Sequence, residues 1–434
     1  MGHLHDIKAE YRALQQRLDQ GPAAAPARPE LFEVLGLIFT PEEARTGAVM
    51  PWKPVTAAQV ARLLDEPVAQ VRERLERMAD RGLVFDFASP RSGTVRYVLA
   101  PPVVGFVEFT LMRVRADIDQ PQVARALHEL FFGDPVFAQR TFAPGLAQIG
   151  RALAHEDQLP EDGAEVLDWE RASALIREAG GGALSLCYCR HKGEHVGQPC
   201  RHPLDVCTSL LPGADWVLRR GFGRPASTSE LLEVLVRCRE AGLVQIADNV
   251  QHRPSYLCHC CACHCGQLLA ITRFGLKHAV RTSSFIAEVS PTDCNGCGRC
   301  LRRCPVGAIS VVQGPPAQGL PGRPVAVIDE SLCLGCGVCP AVCSKSALRL
   351  VARPVRLLTP RNTLERIVLR AMERGALHHL LFGSPETRTQ EFLHRLVGVV
   401  EGLPPVRRLE LSQALQSRFL SNLGRFTRNI PLPP

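Results

Sequence analysis

The sequence predicts a multidomain protein, mainly α-helical with α+β parts, built around a metal-rich centre. Three observations lead there. The chain has 434 residues, and at roughly 100–200 residues per domain two to four domains are expected. Its hydrophobic fraction of 46% is enough for packed cores, and its charged fraction of 22% is ordinary for a globular protein. Finally, the 18 cysteines are confined to the stretch between Cys187 and Cys343, often one or two residues apart. Neighbours that close rarely bond to each other, yet they can share one metal. Aromatic residues are few, so Leu, Val and Ala must fill most of the core.

Residues 1–29 read as an N-terminal helix and a linker, Gly21 to Pro29. No apolar leader core and no small-residue cleavage site is visible at the start. No stretch approaches the 18 or so apolar residues of a membrane span. A reducing cytoplasm, where thiols stay free or bind metal, is therefore the expected home.

Residues 30–115 show an ordered succession. Leu31 to Phe39 is a helical run. Thr56 caps a helix reaching Leu64. Pro67 opens another, with Val68, Val71, Leu75 and Met78 at helical spacing, and Gly82 stops it. Two strands, Leu83 to Phe87 and Val95 to Leu99, flank a turn. Three helices before a β-hairpin resemble a winged helix, a fold that often binds DNA through the helix placed here at 67–81. That helix carries Arg72, Arg74, Arg77 and Arg81, but also Glu73, Glu76 and Asp80. Mixed charge is weak for gripping phosphates, so packing or partner binding is the favoured use.

Residues 116–284 are expected to be a helical domain with a cysteine-rich region. Residues 285–352 form a module with an internal repeat. Cys294, Cys297, Cys300 and Cys304 follow C-x2-C-x2-C-x3-C, with Pro305 next. Cys333, Cys336, Cys339 and Cys343 repeat the spacing, with Ser344 in place of the proline. Three closely spaced thiolates let one loop wrap three irons of a cube. Gly296, Gly298, Gly335 and Gly337 let backbone N–H groups approach the sulfurs. A pair of zinc sites is a poor alternative for this doubled spacing.

The module resembles the bacterial two-cluster ferredoxin family. The resemblance implies two [4Fe–4S] clusters, each held by three cysteines of one motif and the fourth of the other. Cys294, Cys297, Cys300 and Cys343 would hold one; Cys304, Cys333, Cys336 and Cys339 would hold the second.

Ten further cysteines precede the module, nine of them clustered. Cys187, Cys189, Cys200 and Cys207 are spaced C-x-C-x10-C-x6-C, which suits a third [4Fe–4S] cluster better than a zinc knuckle. Cys258, Cys260, Cys261, Cys263 and Cys265 put five thiols in eight residues. They could hold a further cluster, share ligands with the first four, or bind zinc. His202, His259 and His264 are candidate ligands that more often are only polar neighbours. Cys260 to His264 also fits the C-x-x-C-H haem attachment pattern, although attachment normally follows export. Cys238, alone on a helix, reads as a small buried hydrophobe.

Residues 353–434 read as a basic helical region. From Lys345 onward there are 15 Lys/Arg against 6 Asp/Glu, a net of +9 in a chain of +8. Such a face could dock an acidic redox partner, nucleic acid or an anionic surface. No nucleotide-binding glycine loop and no nucleophile elbow is present. The chain is thus expected to be an electron-transfer protein or subunit of an oxidoreductase system, working between redox partner proteins. Two alternatives stay open: a redox-responsive winged-helix regulator, and a catalytic iron–sulfur oxidoreductase using Cys187 to Cys265.

Overall fold

A capping box or an opening proline starts three of the first five helices. In this computed structural model, residues 7–89, 92–142, 145, 147–159, 166–211, 213–314, 322–354, 358–382, 391 and 394–398 are described. Helix α1 (Ala9–Asp19) packs on α3 (Pro41–Val49), with α2 (Pro29–Ile38) between them in sequence. Prolines at the first position open α2 and α3, where a missing N–H costs nothing. Thr40 and Glu43 form a reciprocal capping box on α3, and Thr56 and Gln59 form another on α4 (Ala57–Leu64). Helix α5 (Val68–Asp80) ends at Gly82, whose φ of +76° lets the chain reverse. Strands β1 (Val84–Ala88) and β2 (Val95–Leu99) then pair antiparallel, Val84 opposite Leu99. The sequence reading passed over α3, whose apolar positions are too few to show a helical stripe.

Arg74 of α5 and Arg81 just after it are held in the fold, and Arg77 pairs along the exposed face of α5. Arg74 pairs with Glu66 at 2.8 Å, Arg77 with Glu73 at 2.7 Å, and Arg81 with Glu43 at 2.7 Å. Helix α6 (Val107–Phe109), α7 (Gln120–Phe132) and α8 (Val136–Phe142) follow.

Residues 116–284 are not a helical domain, as the sequence reading had them. A six-stranded antiparallel sheet runs through them. Its strands are β3 (Gly150–Leu153), β4 (Gly182–Ser185), β5 (Cys207–Leu210), β6 (Arg224–Ala226), β7 (Val244–Asp248) and β8 (Tyr256–Cys260), in the order β3-β7-β8-β5-β4-β6. The helices between them are α9 (Ala172–Ala179), α10 (Tyr188–His195), α11 (Gly213–Arg219) and α12 (Thr228–Glu240), with α13 (Gly266–Phe274) after β8. Helices α9 and α12 cover one face, packing on Leu153, Leu184, Ala247 and Leu257. The opposite face, with Ile246 and Cys260, joins the core of the N-terminal helices. Strands buried on both faces lack the in–out alternation that marks a strand in sequence. Every residue of β7 is buried.

The repeat at 285–352 folds as two hairpin-like pairs. Strand β9 (Phe285–Val289) leads to the first cysteine loop, α14 (Arg299–Arg303) and β10 (Ile309–Gln313). Strand β11 (Pro324–Ile328) leads to the second loop and β12 (Leu348–Ala352). β10 pairs with β11 and β9 with β12, both antiparallel, so the two halves interlock. The module sits directly on the sheet domain. His155 N–H donates to Cys336 O at 3.0 Å, and Arg303 donates to Ala241 O at 3.2 Å.

Helix α15 (Thr363–Arg374) is followed by α16 (Leu377–Phe382). The arginines of α15 turn inward. Arg370 donates to Pro22 O at 3.1 Å, Thr141 O at 2.9 Å and Ala147 O at 3.1 Å. Arg366 pairs with buried Asp248 at 3.0 Å, and Arg374 donates to Asp19 O at 2.7 Å. Part of the basic excess therefore clamps the fold together and is unavailable as a docking face. Residues 355–357, 383–390, 392–393 and 399–434 of the basic region lie outside the described residues. Among the described residues, no helix is long and apolar enough to cross a membrane.

Candidate metal centres

The eight cysteines of the repeat line two cavities. Cys304, Cys333, Cys336 and Cys339 line the first. Cys294, Cys297, Cys300 and Cys343 line the second. Each quartet combines three residues of one motif with the last of the other. The interlocked strand pairing brings this about, because it sets each motif's fourth residue beside the other motif's loop. The walls are largely apolar: Val306, Ile309, Ile328, Leu334 and Leu350 line the first.

Backbone N–H groups already point at sulfur. Ala308 N lies 3.2 Å from Cys304 Sγ, and Ala326 N lies 3.4 Å from Cys294 Sγ. Such donors stabilise negative charge on a cluster. Gly335 (φ +66°) is required by space as well as by conformation. A Cβ there would sit 2.0 Å from Phe285 O and 2.3 Å from Ser283 Oγ. Ser344, the departure from the repeat, accepts a hydrogen bond from Arg299 at 3.2 Å. Burial pushes the Cys336 thiol up to about 12.

The nine upstream cysteines divide in a way that spacing does not reveal. Six lie close enough to perturb one another's ionisation, in the order Cys187, Cys189, Cys265, Cys260, Cys258, Cys207. Strand register explains the far end. Thr208 faces Leu257, which sets Cys207 beside Cys258. Cys258 and Cys260 share a face by strand alternation. Cys187 caps α10, Cys189 lies in its first turn, and Cys265 caps α13. Cys189 and Cys258 each accept from two neighbouring thiols and are held well below the usual thiol range. Their partners Cys187, Cys207, Cys260 and Cys265 are pushed up, because each shares its proton with a neighbouring thiolate and is buried.

Two ionisable side chains border this chamber. Glu108 accepts from Gly105 N–H at 2.8 Å, and burial pushes its carboxyl up to about 8. Lys192 is buried against the Phe132 ring at 4.3 Å, and burial brings its amine down to about 8. Neither was singled out in the sequence, since nothing local ties them to distant cysteines.

The remaining three cysteines, Cys200, Cys261 and Cys263, converge with His264. Their ligand atoms all lie within 4.8 Å of one another. Cys200 Sγ is 3.9 Å from Cys261 Sγ and 3.7 Å from Cys263 Sγ. Cys261 belongs to the apolar cluster on the α9/α12 face, whereas Cys260 faces the opposite core.

One sequence expectation is corrected by this division: Cys187, Cys189, Cys200 and Cys207 do not form one quartet, because Cys200 joins the other group. The five thiols from Cys258 to Cys265 split between the two groups and so share ligands with the Cys187 to Cys207 stretch, one of the alternatives left open. Cys260 and Cys263 of the C-x-x-C-H match fall in different groups, which fits the disfavoured haem reading poorly. His264, held at low odds in the sequence, is a member of a group, while His202 and His259 join neither. Cys238 is fully buried on α12, and burial pushes its thiol up to about 11. A trio unsuspected in the sequence, His378, His379 and His394, also has ring nitrogens within 4.8 Å of one another.

The family described as a 4Fe-4S dicluster domain matches residues 293–347, within the interlocked repeat. The chain thus carries an iron–sulfur, ferredoxin-type domain of the kind that transfers electrons. No curated protein matches the chain, and no solved structure does.

Proposed function

We propose that this protein is an iron–sulfur electron carrier working between two redox partner proteins. Two [4Fe–4S] clusters would occupy the repeat, one on Cys294, Cys297, Cys300 and Cys343, the other on Cys304, Cys333, Cys336 and Cys339. The carrying observation is the pair of cavities, each lined by three thiols of one motif and the fourth of the other. When bound, such clusters supply one-electron couples, whose potentials as a class span about −700 to +450 mV.

The protein's own part is to hold, insulate and connect. Val306, Leu334 and Leu350 keep water from the second quartet. The Ala308 and Ala326 amides donate to ligand sulfurs. The His155 and Arg303 hydrogen bonds join the repeat to the sheet domain without an intervening linker. The six-thiol chamber, an all-sulfur donor set, suits a further iron–sulfur cluster. The carrier would then be a wire with an inner terminus.

Glu108 and Lys192 beside that chamber favour one second reading, a catalytic inner site coupling electron and proton movement. The regulator reading lacks such support. Arg74 and Arg77 on α5 and Arg81 just after it are engaged by Glu66, Glu73 and Glu43, which leaves little free charge for phosphates. The N-terminal helices and hairpin are better read as a winged-helix-like packing unit.

The test is iron and acid-labile sulfide per chain in anaerobically purified protein. About eight of each would fit the repeat alone, and about twelve would add one cluster in the chamber. Metal without sulfide overturns the proposal.

A further inference from the structure

We infer that Cys200, Cys261, Cys263 and His264 bind a single zinc ion, a structural site separate from the iron–sulfur chemistry. The inference does not rest on the electron-carrier reading.

Dimensions come first. A tetrahedral zinc with Zn–S bonds of about 2.3 Å sets its sulfurs roughly 3.8 Å apart. The observed Cys200 Sγ separations are 3.9 and 3.7 Å. A cubane places each thiolate on a different iron and so spreads the sulfurs. Among the described residues, the repeat's quartets accordingly form no group with all ligand atoms within 4.8 Å, whereas these four residues do.

The histidine is oriented for the role. His264 Nε2 lies 2.7 Å from Gln198 O. A carbonyl oxygen can only accept, so Nε2 carries the proton. Nδ1 then presents its lone pair inward, 3.1 Å from Cys263 Sγ. A backbone carbonyl that fixes the tautomer of a ligating imidazole is the usual partner of a metal-bound histidine. The ring fits only because residue 193 is glycine. A Cβ there would lie 2.4 Å from His264 Cδ2 and 2.5 Å from Nε2.

The donor set and charge agree. Three thiols and one imidazole form a closed four-ligand set, typical of structural zinc. Three thiolates with Zn²⁺ leave one net negative charge, and the nearby buried Arg190 guanidinium supplies a counter-charge to Cys261. The chain explains the separation from the six-thiol chamber. Strand alternation sends Cys258 and Cys260 to one face of β8, and the next residue, Cys261, to the other. Zinc here would tie the segment after α10 to the turn that delivers Cys265 to the chamber.

The experiment uses full-length protein purified anaerobically without chelators. Zinc, iron and sulfide are measured on the same samples, with zinc K-edge absorption reporting its ligands. One zinc per chain with three sulfurs and one nitrogen is expected. The Cys200→Ser/Cys263→Ser variant should lose that zinc, and a Cys294→Ser variant should keep it while losing iron. If the double variant does not fold, Gly193→Ala serves. Its Cβ would meet the His264 ring and Gln198 O, the carbonyl that orients it, and zinc release to a chelator should become about 10–100-fold easier. Absence of zinc from the wild-type protein overturns the inference. So does a sulfur-only zinc spectrum, or a fall of about four irons and four sulfides in the double variant. None of these results alters the eight-iron expectation for the repeat, so the two proposals fail separately.

Discussion

Replacing Asp86 by Asn should loosen the joint between the N-terminal hairpin and the sheet domain. Asp86 lies on β1 and is only 3% exposed. Its carboxylate accepts from Trp216 Nε1 at 2.9 Å, Arg219 Nη1 at 2.6 Å and Arg220 Nε at 2.9 Å. All three donors come from α11 and the residue after it. Removing one partner of a buried ion pair costs about 3–5 kcal/mol, because a charge is left without its counter-ion. Two features lower the figure. Arg220 keeps Glu76 at 2.8 Å and Asp80 at 2.7 Å, and the Arg219 side chain is 49% exposed. An asparagine oxygen can still accept from Trp216. About 2–3 kcal/mol is therefore expected, the range of a lost hydrogen-bonded charge.

The assay is anaerobic urea unfolding followed by tryptophan fluorescence, with a cycle using Arg220→Met. A coupling of at least about 1 kcal/mol is expected for groups in direct contact. The pH dependence carries a sign. Burial works against the Asp86 carboxylate, but Arg220 and Arg219 outweigh it and hold its pKa below the ordinary range. Its contribution is thus fully present above the unfolded value of about 3.9 and is lost as pH falls through the folded value. The gap between wild type and variant should be level from pH 8 to pH 5 and close below about pH 4. A loss under about 0.5 kcal/mol, or additive single variants, would refute this account of the joint.

Other substitutions probe the repeat and the C-terminal clamp. Gly335→Ala forces a Cβ onto the Phe285 carbonyl. Iron should fall from about eight to about four per chain from the repeat, with the Cys294 quartet retained; unchanged iron would show that the loop can move. Cys304→Ser should perturb the cluster of the second motif, although it lies in the first. Electron paramagnetic resonance of the reduced protein reads which signal changes, and loss confined to the first motif's cluster would disprove the crossed ligation. Arg370→Ala strands two buried carbonyls, at Thr141 and Ala147, and a half-buried one at Pro22. A loss of about 2–4 kcal/mol on urea unfolding is expected, and a neutral result would mean that α15 does not anchor the fold.

What the sequence determined by itself was local. The eight cysteines of the repeat could be read as ligands because their spacing lies within single loops, where chain geometry alone brings thiols together. The start of α4 was legible for the same reason: Thr56 and Gln59 are three residues apart. The ends of α5 and α12 were marked by Gly82 and Gly242, both at positive φ. The sheet was not legible, since its strands are three to five residues long and largely buried on both faces. Only the tertiary structure decided how nine upstream cysteines divide. The register of β5 against β8 put Cys207 beside Cys258. Alternation past Cys260 turned Cys261 away, towards Cys200 from a loop some sixty residues earlier. The same holds for Glu108, Lys192 and the inward arginines of α15, whose partners lie far off in sequence. Spacing along a chain tells which ligands can share a loop; which loops share a metal depends on how strands pair and which face each residue meets.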